Sequence, residues 1–277
     1  MKKALIGLLI VLAGVGCKSV NNQLYPQVSF FDDAQNLSVS VVDRIKDAPP
    51  HVISWLNDMD STDTYASYSL TDEEHRLFSG YYALLPEIYQ RTMEEKVIAI
   101  YFIENFLGGG MTCGAFDHDG YLYMILFFNP EILRCSITDW INFRENSCFN
   151  DDAHTITVNA ECTGEYCALL HTLFHEASHV YDYHYHITPF TELYFKHDDS
   201  PLKTGFTDMI WADYDLPVME YNFPHRNELH SYGLGPAQSK KRAFDIYESL
   251  SKTPFPTVYG SQNWAEDFAE SFTWFYL

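Results

Sequence analysis

His175-Glu176-x-x-His179 is the stretch of this sequence whose residue types and spacing most directly permit chemistry. On a helix, residues four apart project from one face, so both imidazoles can reach one divalent ion at about 2.1 Å, a donor pair that suits zinc. Glu176 is offset by one position, which sets its carboxylate beside the ion, where it can take a proton from a metal-bound water. Together these residues point to metal-assisted hydrolysis. A pattern of three fixed positions can also arise by accident, so the rest of the chain must supply a third ligand and a framework.

The third ligand is sought by elimination. A metzincin would continue with Gly at 182 and His at 185, but the chain has Asp182 and Tyr185. His171, one turn before His175, points past the ion and reads as a neighbour of the site or as core. His184, His186 and His197 read as solvated or structural histidines. The C-terminal stretch "VYGSQNWAEDFAESF" is more informative. Helical spacing puts Glu266 and Glu270 on one face and Trp264, Phe268, Phe272 and Phe275 on the other. Two readings stay open at this point. Glu266 is a metal ligand, with Glu270 accepting the N–H of a ligating histidine; or Glu266 closes a capping box with Asn263 and Glu270 is solvated.

The pattern H-E-x-x-H-x-x-D followed by Y-x6-E-x-F-A-E resembles the lethal-factor-like gluzincins, which include the Pro-Pro endopeptidases. The matching residues are His175, Glu176, His179 and Asp182, then Tyr259, Glu266, Phe268, Ala269 and Glu270. The resemblance covers about a third of the chain. It implies one catalytic Zn2+ on His175, His179 and Glu266, with Glu176 as general base and Tyr259 as the donor that steadies the oxyanion. It places Glu270 beside the ligands, and Asp182 beside them or at a structural hydrogen bond. The implied activity is that of a zinc metalloendopeptidase acting on a peptide or protein. Between His179 and Tyr259 nothing matches, so substrate preference is not carried over.

These residues need elements to position them. "PPHVISWLNDMD" opens with prolines suited to a helix N-terminus. Thr71-x-x-Glu74 is a capping box opening a long helix over 71–95, broken or kinked at Pro86. Apolar β-rich runs at 96–106 and 120–129 read as strands, with a Gly-rich segment between them, and 154–159 as a third. The run at 120–129 is expected to be the edge strand over the cleft, where it can pair with an extended peptide. The motif helix is expected over 163–183, with Thr163 as N-cap and Glu165 in its first turn. Leu169, Leu173, Ala177 and Val180 form its core-facing stripe. Residues 184–235 read as loops and short elements, followed by two helices. The order predicts an α+β, zincin-like fold with a small mixed sheet and a helical C-terminal part, in one domain over 49–277.

Residues 1–16 carry Lys2 and Lys3 before a short apolar run, a signal peptide too short to span a bilayer. Cys17 after small residues resembles the lipobox of bacterial lipoproteins, although Gly14 stands where Leu is usual; a plain signal peptide cut near Gly16 is the alternative. The resemblance implies acylation at Cys17 and, with Lys18 next to it, an outer-membrane anchor facing the periplasm or the cell surface. Residues 17–48 read as the lipidated N-terminus and tether. A net charge of −21 argues against nucleic acid or anionic lipid as a partner, so the membrane is contacted only through the anchor, and a monomer is expected. Export permits disulfides, with Cys162–Cys167 and Cys135–Cys148 as the expected pairs. Two rival functions are a degenerate zincin scaffold serving as a binding lipoprotein and a toxin-like effector. The first would tolerate loss of Glu176 or Tyr259, and lipidation at Cys17 argues against the second.

Overall fold

The computed structural model describes residues 26–31, 37–150, 158–162, 164–189 and 204–277. The expected signal peptide, Cys17, the expected N-cap Thr163 and most of the strand expected at 154–159 lie outside them, as does His197. The tether is shorter than expected. Residues 26–31 and 37–48 of it pack into the fold, with Val28, Phe31, Val41 and Ala48 buried. Arg44 pins this stretch by donating to the carbonyl oxygens of Val39 and Val97, both at 2.6 Å, and to Glu94 at 2.9 Å. A few apolar anchors in a polar stretch have no period to read, which is why the sequence suggested a tether.

Helix α1 (Pro50–Asp60) begins with a proline in its first turn and leads to the short strand β1 (Ala66–Tyr68). The capping box of Thr71 and Glu74 opens α2 (Asp72–Tyr82). Pro86 then starts a separate helix, α3 (Glu87–Lys96), so the expected long helix is two. Strands β2 (Val97–Glu104), β3 (Gly110–Phe116) and β4 (Leu122–Phe128) follow. The sheet order is β1-β2-β4-β3; β2 and β4 are parallel and the outer pairs antiparallel. The 120–129 run is therefore an interior strand, not the edge. Its nearly unbroken apolar sequence is what burial on both faces requires. The edge is β3, formed from the Gly-rich segment that carried no strand signal.

Alternate residues of β2 and β4 feed two cores. Ile100, Phe102, Leu126 and Phe128 face the larger helical layer, and Tyr101, Ile103, Ile125 and Phe127 face α1 and the N-terminal segment. After β4, Ser136 caps α4 (Ile137–Ser147). Helix α5 (Ala168–Tyr185) starts later than expected, with Cys167 in the N-cap position and Glu165 outside its first turn. Its start is fixed by the approach to α4, where Ala168 N–H donates to Cys135 O at 2.9 Å. A third cluster, including Trp211, Phe223, Ile246, Phe255 and Trp264, gathers residues 204–263 around α6 (Ala243–Leu250). Helix α7 (Trp264–Tyr276) closes the chain against α5. Phe275 does not join the aromatic face, being 79% exposed. The class is α+β, and no described helix is long and apolar enough to cross a membrane.

The expected disulfides are not formed: all five described cysteines are free thiols. Cys135 and Cys148 flank the eleven residues of α4, which hold them about 16 Å apart, beyond disulfide reach. Cys162 is tied by its N–H to Thr138 Oγ1 at 3.0 Å and Cys167 by its own to Tyr81 at 3.2 Å, so each faces a different helix.

Candidate metal centre and its cleft

α5 is buried around nearly its whole circumference through Val180, so its polar residues are held in place by packing. His175 and His179 lie one turn apart as expected, their Nε2 atoms 3.2 Å from each other. From α7, Glu266 Oε2 stands 3.1 Å from His175 Nε2 and 3.6 Å from His179 Nε2. Donors about 2.0–2.1 Å from one tetrahedral ion stand roughly 3.3–3.4 Å apart, so this triangle fits a zinc ion on three protein ligands. Among the described residues these three form the one group suited to holding a metal. Asn263 caps α7 by accepting from the N–H groups of Ala265 and Glu266, both at 3.0 Å. The Glu266 carboxylate turns to the imidazoles, so no capping box closes.

Glu270, one turn further on, is fully buried and crowded with partners. Arg144 of α4 grips it with both guanidinium ends at 2.8 Å. Thr257 Oγ1 donates to it at 2.8 Å and Trp274 Nε1 at 3.2 Å. His175 Nδ1 lies 3.1 Å from its Oε1, close enough for the carboxylate to brace an imidazole that could hold a metal. Burial pushes the Glu270 carboxyl up, but Arg144 and His175 outweigh it and hold it well below the usual range. Burial likewise pulls His175 down, and the carboxylates of Glu266 and Glu270 reverse this, raising it to about 10. His171 packs edge-on against Trp274, its Nε2 3.9 Å from Glu270; burial lowers it to about 3, so it stays a neutral neighbour.

Glu176 points to the other side of the triangle. Thr112 of β3 donates to its Oε2 at 2.7 Å, and burial raises its carboxyl despite the nearby imidazoles. The strand comes this close because it has no side chains there: a Cβ on Gly110 would sit 2.8 Å from Glu176 Oε1 and 3.0 Å from Thr172. Tyr259 lines the same cleft, its ring 5.8 Å from that of His175 and 5.0 Å from the Arg144 guanidinium. Asp182 takes the structural of its two expected roles, accepting from Thr188 N and Oγ1 at 2.6 Å. His184 lies 3.9 Å from Glu95 on the outside.

The sequence reading missed Arg144, Thr112, Thr257, Trp274 and Tyr232. One signal was available for Arg144, since Ile137, Trp140, Ile141 and Arg144 share the apolar stripe of α4 and an arginine there needs a buried anion. Thr112, Thr257 and Tyr232 sit in turns or an edge strand and left no pattern. No family model, curated protein or solved structure matches this chain, and its chemistry is argued from the geometry of His175, His179, Glu266 and the cleft beside them.

Proposed function

We propose that this chain is a zinc-dependent metalloendopeptidase of zincin-like architecture, exported and lipid-anchored through Cys17. The observation that carries the reading is the joint placement of a three-donor triangle and a separate, buried carboxylate, Glu176, on the next position of the same helix. Zinc, when bound by His175, His179 and Glu266, supplies Lewis acidity and lowers the pKa of a water towards neutrality. Glu176 takes the proton of the attacking water and passes it to the leaving amine, a role suited to a carboxyl that burial holds above its usual range. Tyr259 donates its hydroxyl proton to the carbonyl oxygen as charge gathers there. Glu270 fixes the His175 ring through Nδ1, so that Nε2 faces the ligand triangle. The edge strand β3 runs beside α5 and offers its backbone to an extended peptide, which favours a polypeptide over a small molecule.

The test is direct. Purified protein should carry close to one zinc per chain by elemental analysis. It should cleave members of a peptide library by mass spectrometry, and lose that activity on treatment with a chelator. Zinc-free protein that gains no metal on dialysis against zinc would overturn the reading.

A further inference from the structure

Tyr232 stands out in the cleft by its backbone. It lies in the left-handed region (φ 58°, ψ 18°), a conformation that costs a non-glycine residue about 1–2 kcal/mol and persists only where the surroundings enforce it. The enforcement comes from α4. Tyr232 N–H donates to Ser147 Oγ at 2.7 Å, and Ser147 Oγ in turn donates to Arg144 O at 2.6 Å. The result is a ring swung into the cleft, its centroid 6.1 Å from each of Trp140, Phe143 and Tyr259. It crosses Tyr259 at 77°, so the two phenols meet edge to face above the His175 side of the ligand triangle.

The hydroxyl of Tyr232 has an unspent proton. Among the described residues neither Tyr232 nor Tyr259 donates its hydroxyl proton to any acceptor, although both line the cleft. Both residues are half-buried. Burial holds both phenols above the usual tyrosine range and the Arg144 cation opposes this only in part, so each keeps its hydroxyl proton to share in a hydrogen bond. Opposite Tyr232, Gly108 has no side chain to fill the gap, and even a Cβ there would reach only 3.7 Å from the ring.

We propose that Tyr232 is a second catalytic residue of this cleft, its hydroxyl joining that of Tyr259 to donate a hydrogen bond to the carbonyl oxygen that gains charge during hydrolysis. The inference rests on the peptidase reading and deepens it: the oxyanion is received by two phenols.

The experiment uses full-length protein and the variants Tyr232→Phe, Tyr259→Phe and the two combined. Four quantities are read: zinc content, thermal midpoint, kcat and KM on a cleaved library peptide, and affinity for a phosphoramidate dipeptide whose tetrahedral phosphorus mimics the hydrated carbonyl. Phenylalanine keeps the ring and its packing, so fold and zinc should match the parent. Tyr232→Phe should lower kcat about a hundred- to a thousandfold with KM within about twofold, in the range of losing one oxyanion donor. Phosphoramidate affinity should fall by a similar factor. Unchanged kcat and affinity would overturn the proposal, and so would a raised KM with kcat intact, which would make Tyr232 a binding surface only. If the parent protein neither cleaves the library nor binds the phosphoramidate, the peptidase reading itself fails and takes this proposal with it. A fully active parent matched by Tyr232→Phe removes the proposal alone.

Discussion

The cleft wall built by α5 and β3 and the wall built by α4 and α7 each bury a carboxylate, and they treat it in opposite ways. Glu176, on the first wall, has one hydroxyl donor, Thr112, and burial raises its carboxyl. Glu270, on the second, has a two-pronged arginine, a threonine, an indole and an imidazole, and is held well below the carboxylate range. Both side chains are out of solvent, so exposure does not separate them; their partners do. A carboxylate that must accept and release a proton is served by a sparse shell, and one that must hold a ring in place by a dense one. On the proposed reading the two walls divide the labour: one would move protons while the other would keep a ligand still.

The largest effect should come from removing the proton carrier. Glu176→Gln keeps the shape and the Thr112 contact, so zinc should stay near one per chain while kcat falls about a thousandfold. Loss of zinc in that variant would mean that the walls are not separable. Glu270→Gln strikes the opposite wall. It takes from the buried Arg144 the carboxylate gripped by both guanidinium ends and leaves it only Glu145 at 3.3 Å; breaking a buried pair from one side costs about 3–5 kcal/mol of stability, read by thermal or denaturant unfolding. It also loosens His175, and zinc affinity measured by competition with a chelator should drop about ten- to a hundredfold. Combining Glu270→Gln with Arg144→Met removes the unbalanced guanidinium and leaves Glu145 to the Tyr247 hydroxyl. Stability should then recover while zinc affinity stays low, which separates the brace from the fold.

The same division explains what could be read from the sequence. His175, Glu176 and His179 were legible because one helix fixes their relation through spacing alone. Glu266 and Glu270 were legible for a similar reason, as two carboxylates on an otherwise aromatic helix. Their partners were not, because Arg144 reaches Glu270 across 126 positions and no local period records such a contact. Strands β2 and β4 announced themselves by apolar runs, whereas β3 has Gly, Thr and Cys where it skirts Glu176. The feature that lets β3 approach the site, the missing side chain at Gly110, is also what hid it as a strand. The disulfide expectation failed on distance, since intervals along the chain say nothing about a helix lying between Cys135 and Cys148.

The smaller predictions probe the sparse shell of Glu176. Gly110→Ala would set a methyl within 2.8 Å of Glu176 Oε1, and overpacking of this kind typically costs 1–3 kcal/mol. Because the obstructed atom belongs to the proton carrier, kcat should fall about tenfold while zinc content holds. Thr112→Val is gentler still. It replaces a hydroxyl by a methyl of similar volume and deletes the single hydrogen bond that orients the Glu176 carboxylate, a bond of 2.7 Å from an edge strand. A neutral donor to a charged acceptor contributes about 1.5–3 kcal/mol where fully buried. This one opens on a cleft, so its loss should lower kcat only about three- to tenfold. Losing the donor also raises the Glu176 carboxyl further, so the acid limb of the kcat profile should move to higher pH. An unmoved limb would mean that Thr112 packs β3 against α5 without tuning the carboxylate, and the contrast between the two walls would then rest on Glu270 alone.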